Sequence, residues 1–461
     1  MKIIVVGCGP KGIAIQTKLQ VLKKLHKKPI SKLVIIDKKG IAANWGGDSG
    51  FTDGENRLCT LPDKDIGFPY SSIFGEQVNA EMFKYSWSSF LIDTNKYREW
   101  IERGKPQPLH KDWYEYLKWV WERTNTNTQF IKGDVTKIQI VPTNNIWNIK
   151  VKTDNGPRTV KGNSLVLTGP GKPIHTKLSP PEDENHLLPL IFDGKSYWEK
   201  KFYLDHIKNV FRHNAPSAKI GLLGTGETAA TIIHSLLDEL REFNFKIYCL
   251  SRHVSIFSRG ENYFGNHFFS CPDDINKNWQ DYSLKLRKEF IERTDRGVLS
   301  TNVLNIMNHS EKIEIIYLND NWDVSIEGSK IKLQPDKNNS LKSIHLDCFV
   351  DATGFDPLIF INDQFDDETR NRLVNHIIQN EKYILQYYNS IKDAQRDLGL
   401  DPLILIKNIL PLMIGKDLSV DGFYPKLYLP MIAGLSQGPG FPKLSALGLL
   451  SDRIFEPLIE K

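Results

Sequence analysis

Two stretches of the chain repeat one local pattern: KIIVVGCGPKG begins at Lys2, and KIGLLGTGETAA begins at Lys219. Each runs an aliphatic strand into closely spaced glycines and then into a helix. This joint restricts the fold more than any other feature of the sequence. Glycines let a pyrophosphate approach the backbone, and the amides and dipole at the start of the helix favour that anion. A lone glycine turn can also be plain punctuation between a strand and a helix, so the flanking residues must decide.

In the first copy, Ile3 to Val6 read as the strand and Gly7, Gly9 and Gly12 as the turn. Ile15, Leu19 and Leu22 then recur at helical spacing, which leaves Lys18, Lys23 and Lys24 for the solvated side. The next strand, KLVIID, ends in Asp37, an acid placed to accept hydrogen bonds from an adenosine ribose. In the second copy, Ile220 to Leu223 lead into Gly224 and Gly226, and Ala229 stands where a third glycine would otherwise allow close packing. Ile233, Leu236 and Leu240 continue the buried face. The following strand, FKIYCLSRH, ends without an acid. Ser251, Arg252 and His253 occupy that region, and Arg252 suits a 2′-phosphate that an aspartate would repel. The pair therefore reads as FAD in the first site and NADPH in the second.

The expected fold class is α/β, with two Rossmann-like dinucleotide-binding domains, the second inserted in the first, and a small, mainly helical C-terminal substrate region. NSLVLTGPGKP and LDCFVDATGFDP each run an apolar strand into a glycine-containing turn, and they bracket the second unit. The simplest topology is an FAD-binding domain begun by residues 1–185, an NADPH-binding domain at 186–345, and residues 346–461 completing the first domain. Leu373, Ile377 and Ile384 mark a helical segment from Asp366 to about Leu398, whose role is scaffold or oligomer contact. Between the first unit and residue 125 the chain is rich in aromatics. Spacings such as Trp113, Tyr116 and Val120 point to helix core. Trp45 differs: it follows GIAANW just after Asp37, where the chain passes back toward the middle of a bound FAD.

The formal net charge of +5, from 60 basic and 55 acidic residues, implies no acidic partner. KLQVLKKLHKK falls on the first helix and its exit, so it reads as a solvated face and not as a nucleic-acid or membrane surface. Cys8, Cys59, Cys249, Cys271 and Cys348 form no CxxC pair. They suit reduced thiols in a cytoplasmic protein, and they argue against a thioredoxin-reductase-like use of two dinucleotide sites. The N-terminal apolar run is a strand without the charged leader of a signal peptide. LILIKNILPLMIG is too short, and too interrupted by Lys407 and Pro411, to span a bilayer. There is no Ser/His/Asp arrangement and no metal cluster.

In order and spacing, nearly the whole chain resembles the flavin-dependent N-hydroxylating monooxygenases, most closely the lysine N-monooxygenases of mycobactin-type siderophore biosynthesis. The resemblance is carried by VVGCGPKGIAI, ANWGGDSGFTDGENRLCTLPDKDIGFPYSS, KYSWSSFLI, EWIERGKPQPLHKDWYEYLKWV, LVLTGPGKP, FDGKSYW, LLGTGETAA, SRGENYFGNHFFSCPDD, DATGFDP and GLSQGPGFPKLSALGLLSDRI. It implies that NADPH reduces FAD, that oxygen adds to the flavin at C4a, and that the distal oxygen passes to an unprotonated amine. L-lysine or a similar amine and O2 are the implied partners, a hydroxamate siderophore or related metabolite the implied product, and a homo-oligomer the implied assembly.

The resemblance also assigns site residues. Lys64 matches the lysine that pairs with the substrate carboxylate, and Asn266 the asparagine that bonds the amino-acid backbone groups. Asn302 matches the residue between the nicotinamide amide and the reacting nitrogen. His253 and His267 read as local hydrogen-bonding residues, not as bases. GPGFPKLSALGLLSDRI reads as a loop feeding a helix whose N-terminus can face the flavin pyrimidine. Other readings remain: an ornithine or aliphatic diamine N-hydroxylase, a Baeyer–Villiger-like monooxygenase, or a non-catalytic FAD- and NADPH-binding protein. FDGKSYWEKKF fits FxGxxxHxxxF at Phe192, Gly194 and Phe202, but Trp198 stands where that pattern needs histidine, which weighs against the second of these.

Overall fold

The computed structural model describes residues 1–26, 32–48, 50–174, 178, 190–199, 208–209, 211–212, 217–259, 262–270, 279–295, 297–318, 322–334, 343–388, 390, 392–393, 396 and 402–459. Cys271, Phe202 and the expected division at residue 185 lie outside the described residues. Two five-stranded sheets dominate. The first runs, in spatial order, Lys426–Tyr428, Ser164–Leu167, Lys2–Val6, Lys32–Asp37, Thr128–Lys132. The second runs Ile313–Tyr317, Phe245–Ser251, Ala218–Leu223, Cys348–Asp351, Leu190–Asp193. Every neighbouring pair in both is parallel.

Parallel sheets are covered on both faces, so their strands must be apolar throughout rather than alternating. Ile3, Ile4 and Val5 of the first central strand are fully buried, as are Ile220 and Leu222 of the second. In each sheet this central strand leads into the glycine turn and then into a helix, Pro10–His26 in the first and Glu227–Glu239 in the second. An antiparallel meander, Asp134–Val141, Ile146–Thr153 and Gly156–Gly162, is placed between two strands of the first sheet.

Two expectations need correction. The strand Cys348–Asp351 does not belong to a segment completing the first domain. It hydrogen-bonds between Ala218–Leu223 and Leu190–Asp193, so the second sheet ends at Asp351, and the chain re-enters the first sheet only at Lys426–Tyr428. Its residues are buried on both sides, as an interior strand requires. Lys18 is not on a wet face either. The helix Leu447–Ile459 packs along the first helix, and Lys18 Nζ meets Asp452 Oδ1 at 2.5 Å with both side chains buried. Burial lowers the Lys18 ammonium and raises the Asp452 carboxyl, and their mutual attraction opposes both shifts. Lys24 is exposed, as expected, and Lys23 half-buried.

The aromatic stretch forms the core beside the first sheet. Trp113 and Tyr116, on the helix His110–Thr124, are fully buried, with ring centroids 4.8 Å apart. Leu373 and Ile377 on Asp367–Gln379 and Ile384 on Glu381–Tyr387 are buried in the same core. Among the described residues no helix is long and apolar enough to cross a membrane.

Candidate active site between two glycine turns

The first turn has both a closed and an open part. Gly7 has φ +108°, and a Cβ there would stand 2.3 Å from Thr168 Oγ1. A Cβ on Gly12 would stand 2.3 Å from the Gly7 carbonyl oxygen, so this glycine lets helix and strand meet. At Gly9 nothing lies within 4 Å. That gap, at the start of a helix, is the cradle a pyrophosphate needs. Asp37 is fixed beside it: its Oδ2 accepts from the Cys8 amide at 2.7 Å, and its Oδ1 from the Lys39 and Gly40 amides, both at 2.9 Å. These residues fit a dinucleotide with a free ribose diol.

The second turn repeats the joint. Gly224 has φ +113°, and its Cβ would approach the Ala352 carbonyl oxygen at 2.7 Å. Around Gly226 the nearest atom is Gly297 Cα at 3.5 Å, an ordinary contact. Ala229 is fully buried. Arg252, at the end of the following strand, is exposed to solvent, and the Ser251 hydroxyl holds the next turn by donating to the His253 carbonyl at 2.8 Å.

The residues that open the two helices share one charged neighbour, Lys443. Lys11, in the first turn of the first helix, donates from Nζ to the Pro442 carbonyl at 2.8 Å. Burial lowers this ammonium to about 7, with Lys443 pushing the same way and Asp295 opposing. Lys443 pairs with Asp295 at 3.0 Å, joining the loop before the last helix to the second unit. Glu227 opens the second helix, and burial pushes its carboxyl up to about 7 against Lys443 and the Ser300 amide. The Cys59 thiol is open to solvent yet walled by protein. Burial, then Glu227, raise it to about 12, while Lys443 and Arg259 oppose.

Lys64 lies five positions after Cys59 and is 5% exposed. The next residue pins this segment: Asp65 accepts from Tyr70 Oη at 2.7 Å, the Trp87 amide at 2.9 Å and the Gly67 amide at 3.0 Å. Asn266 sits on the helix Tyr263–Ser270, where its Oδ1 accepts from Arg259 Nη2 at 2.9 Å. A short parallel ladder, Phe257–Arg259 with Val298–Ser300, sets Arg259 opposite Ser300, two residues before Asn302. The segments bearing Asn266 and Asn302 are thereby brought together. Asn302 itself is exposed, and its Nδ2 donates to Gln107 Oε1 at 2.6 Å, tying the second unit to a loop of the first.

Trp45 ends a short turn, Ala43–Trp45, and its ring meets His110 edge-on at 5.0 Å. Burial holds His110 down to about 4, with His234 of the second helix adding to the effect. Nearby, Asn56 Nδ2 donates to the Thr231 carbonyl at 3.4 Å, and Phe51 packs on Phe355 at 4.6 Å. Trp198 packs against the core of the second unit.

Sequence reasoning missed Lys11, Glu227, Arg259 and Lys443. Each lay inside a motif already singled out. A lysine or a glutamate beside a glycine turn differs in what it does to an anion there, and that charge was the available signal.

Residues 80–357 match the family L-lysine 6-monooxygenase/L-ornithine 5-monooxygenase. The L-lysine N6-monooxygenase MbtG of Mycolicibacterium paratuberculosis is 32% identical over 460 residues, covering 98% of this chain and 94% of that protein. MbtG of Mycobacterium tuberculosis strain H37Rv is 32% identical over 461 residues, covering 98% and 93%. The solved structure of lysine monooxygenase NbtG from Nocardia farcinica, described for an unprecedented NADPH domain conformation, matches with a TM-score of 0.75 at 29% identity over 98% of each chain. The ornithine N-hydroxylase KtzI of Kutzneria sp. 744 shares the fold, with a TM-score of 0.67 at 14% identity over 100% of this chain and 99% of that one. The chain belongs to the L-lysine 6-monooxygenase/L-ornithine 5-monooxygenase family.

Proposed function

We propose that this protein N-hydroxylates the side-chain amine of L-lysine with O2, using FAD at the first glycine turn and NADPH at the second, for a hydroxamate siderophore or related product. The two sheets then correspond to two Rossmann-like domains, the second inserted in the first and running from about residue 186 to Asp351. The reading also includes a cytoplasmic homo-oligomer. The observations that support it are two strand–glycine–helix turns of like backbone, both within the field of Lys443, and the family match over residues 80–357.

FAD reduced by NADPH supplies the oxygen activation. The chain's own residues bind, orient and keep out water. Gly9 leaves room for one pyrophosphate, and Asp37 accepts from the adjoining ribose. Arg252 meets the 2′-phosphate, and Asn302 orients the nicotinamide end. Lys64 pairs with the substrate carboxylate, and Asn266 completes that grip. A lysine side chain must arrive without its proton, because only the neutral amine is a nucleophile and its solution pKa is about 10.4. Burial beside the first turn disfavours a cation, as Lys11 shows by falling to about 7. The same desolvation acts on the substrate amine.

The test is a substrate panel on purified, yellow protein: lysine, ornithine and cadaverine, each followed for NADPH oxidation and hydroxylamine formation. Hydroxylated lysine is the expected product. Formation of peroxide alone with every amine would defeat the reading.

A further inference from the structure

We propose that Arg259 is a positioning residue that sets the enzyme's demand for an amino acid: it turns the Asn266 amide so that its Nδ2 donor meets the substrate carboxylate beside Lys64. This rests on the lysine N-hydroxylation reading and names how the same site chooses its substrate.

The argument begins with hydrogen-bond chemistry. A guanidinium carries donors only, so the 2.9 Å bond from Arg259 Nη2 can end only on the carbonyl oxygen of the Asn266 amide. Rotating that amide by half a turn would set two donors against each other. Arg259 therefore decides which end of the Asn266 amide faces it, and the end turned away is the Nδ2 donor.

Arg259 is itself held in place. Its Cζ stands 3.5 Å from the Phe269 ring centroid, a close cation–π contact on the same helix as Asn266. Phe269 is fully buried, and its carbonyl is pressed by Gly440 so closely that any Cβ there would stand 1.7 Å from the oxygen. The loop preceding the last helix thus braces the shelf on which Arg259 and Asn266 sit. The Arg259 backbone is fixed as well, by its ladder with Ser300.

The grip is one-sided in kind. The Lys64 ammonium and the Asn266 Nδ2 are both donors, and the positive field of Arg259 reaches Cys59, on the segment that carries Lys64. A carboxylate accepts from every one of these groups. A diamine shares lysine's second ammonium but brings no carboxylate, so it has nothing for these donors to hold. Lysine and cadaverine differ by that carboxylate alone, so the pair isolates the effect.

The experiment uses the FAD-loaded full-length enzyme as wild type, Arg259→Met, Arg259→Lys, Asn266→Ala and the Arg259→Met/Asn266→Ala double variant, with lysine as substrate and cadaverine as competitor. Arg259→Met is expected to raise the KM for lysine by about tenfold or more, with kcat, the KM for NADPH and the Ki for cadaverine within about twofold of wild type. Arg259→Lys keeps the charge but loses the planar fork, and falls between the two; it also serves as the probe if the Met variant fails to fold. Because Arg259 acts through Asn266, the double variant should match Asn266→Ala within about twofold. An unchanged lysine KM, equal losses for lysine and cadaverine, or multiplied losses in the double variant would each overturn the proposal while leaving lysine hydroxylation standing. A wild-type enzyme that hydroxylates no amine would remove the parent reading, and this proposal with it.

Discussion

The two glycine turns share a backbone and differ in charge. At the first, the helix begins with Lys11, the strand beside it ends in a fixed Asp37, and the space around Gly9 is open. At the second, the helix begins with Glu227, no acid closes the next strand, and Arg252 is exposed to solvent. A helix N-terminus carries a positive partial charge. A lysine near it adds to the pull on an anion, and a glutamate subtracts from it. Under the proposed assignment of the flavin to the first turn and the nicotinamide coenzyme to the second, this difference favours a tightly held dinucleotide at the first and an exchangeable one at the second.

The comparison breaks most visibly at the glycines. Gly12→Ala forces a Cβ against the Gly7 carbonyl, an overpacking that costs about 1–3 kcal/mol, and it should abolish FAD retention and turnover, read by flavin absorbance and thermal melting. Gly226→Ala has ordinary room. It should melt like wild type and keep its FAD while its KM for NADPH rises. Equal flavin loss in both variants would erase the distinction.

Substrate binding comes next in size. Lys64→Ala should raise the lysine KM by about 30-fold or more with flavin content unchanged, because truncating one partner of a desolvated charge pair costs about 2–5 kcal/mol. An unchanged KM removes its role. Arg252→Ala should raise the KM for NADPH about tenfold and that for NADH hardly at all, since only NADPH carries the 2′-phosphate. Equal losses would take the 2′-phosphate from Arg252.

The smallest effect sharpens the charge argument. The Glu227 carboxyl sits at about 7 in the folded protein, above its ordinary 4.5. Below 4.5 it is protonated whether folded or not and contributes no pH dependence. Between 4.5 and about 7 the folded state holds the proton longer, so stability falls as pH rises through that window and then levels off. Glu227→Gln should flatten this slope in melting curves. It should also lower the KM for NADPH a few-fold at about pH 8, where the wild-type carboxylate opposes the pyrophosphate, and leave it unchanged near pH 6. A tighter KM at both pH values would remove the charge explanation.

Local spacing made much of this architecture readable. Strand, glycines and helix follow each other in the chain, so Gly7, Gly9, Gly12, Gly224 and Gly226 could be read without knowing what lies beside them. Asp37 was readable for the same reason, and so was the buried face through Leu373 and Ile377. Contacts between distant segments were not. Lys18 fits a solvated face until Asp452, on the last helix, covers it. The apolar run at Cys348–Asp351 suits either sheet, and only its neighbours decide which. The Arg259–Asn266 bond depends on a helix turning back over a two-stranded ladder, and Asn302 meets Gln107 across the two units. Hydrophobic periodicity reports which face is buried, not which partner buries it.

The edge strand Lys426–Tyr428 and the Lys18–Asp452 pair have a consequence for how the chain is made. On the ribosome the second sheet has all its strands once Asp351 has emerged, while the first sheet waits for Lys426–Tyr428. The second sheet can therefore be completed before the first, although the first glycine turn is synthesised earlier. A nascent chain arrested before residue 426 would carry a finished second sheet beside a first one still missing its edge.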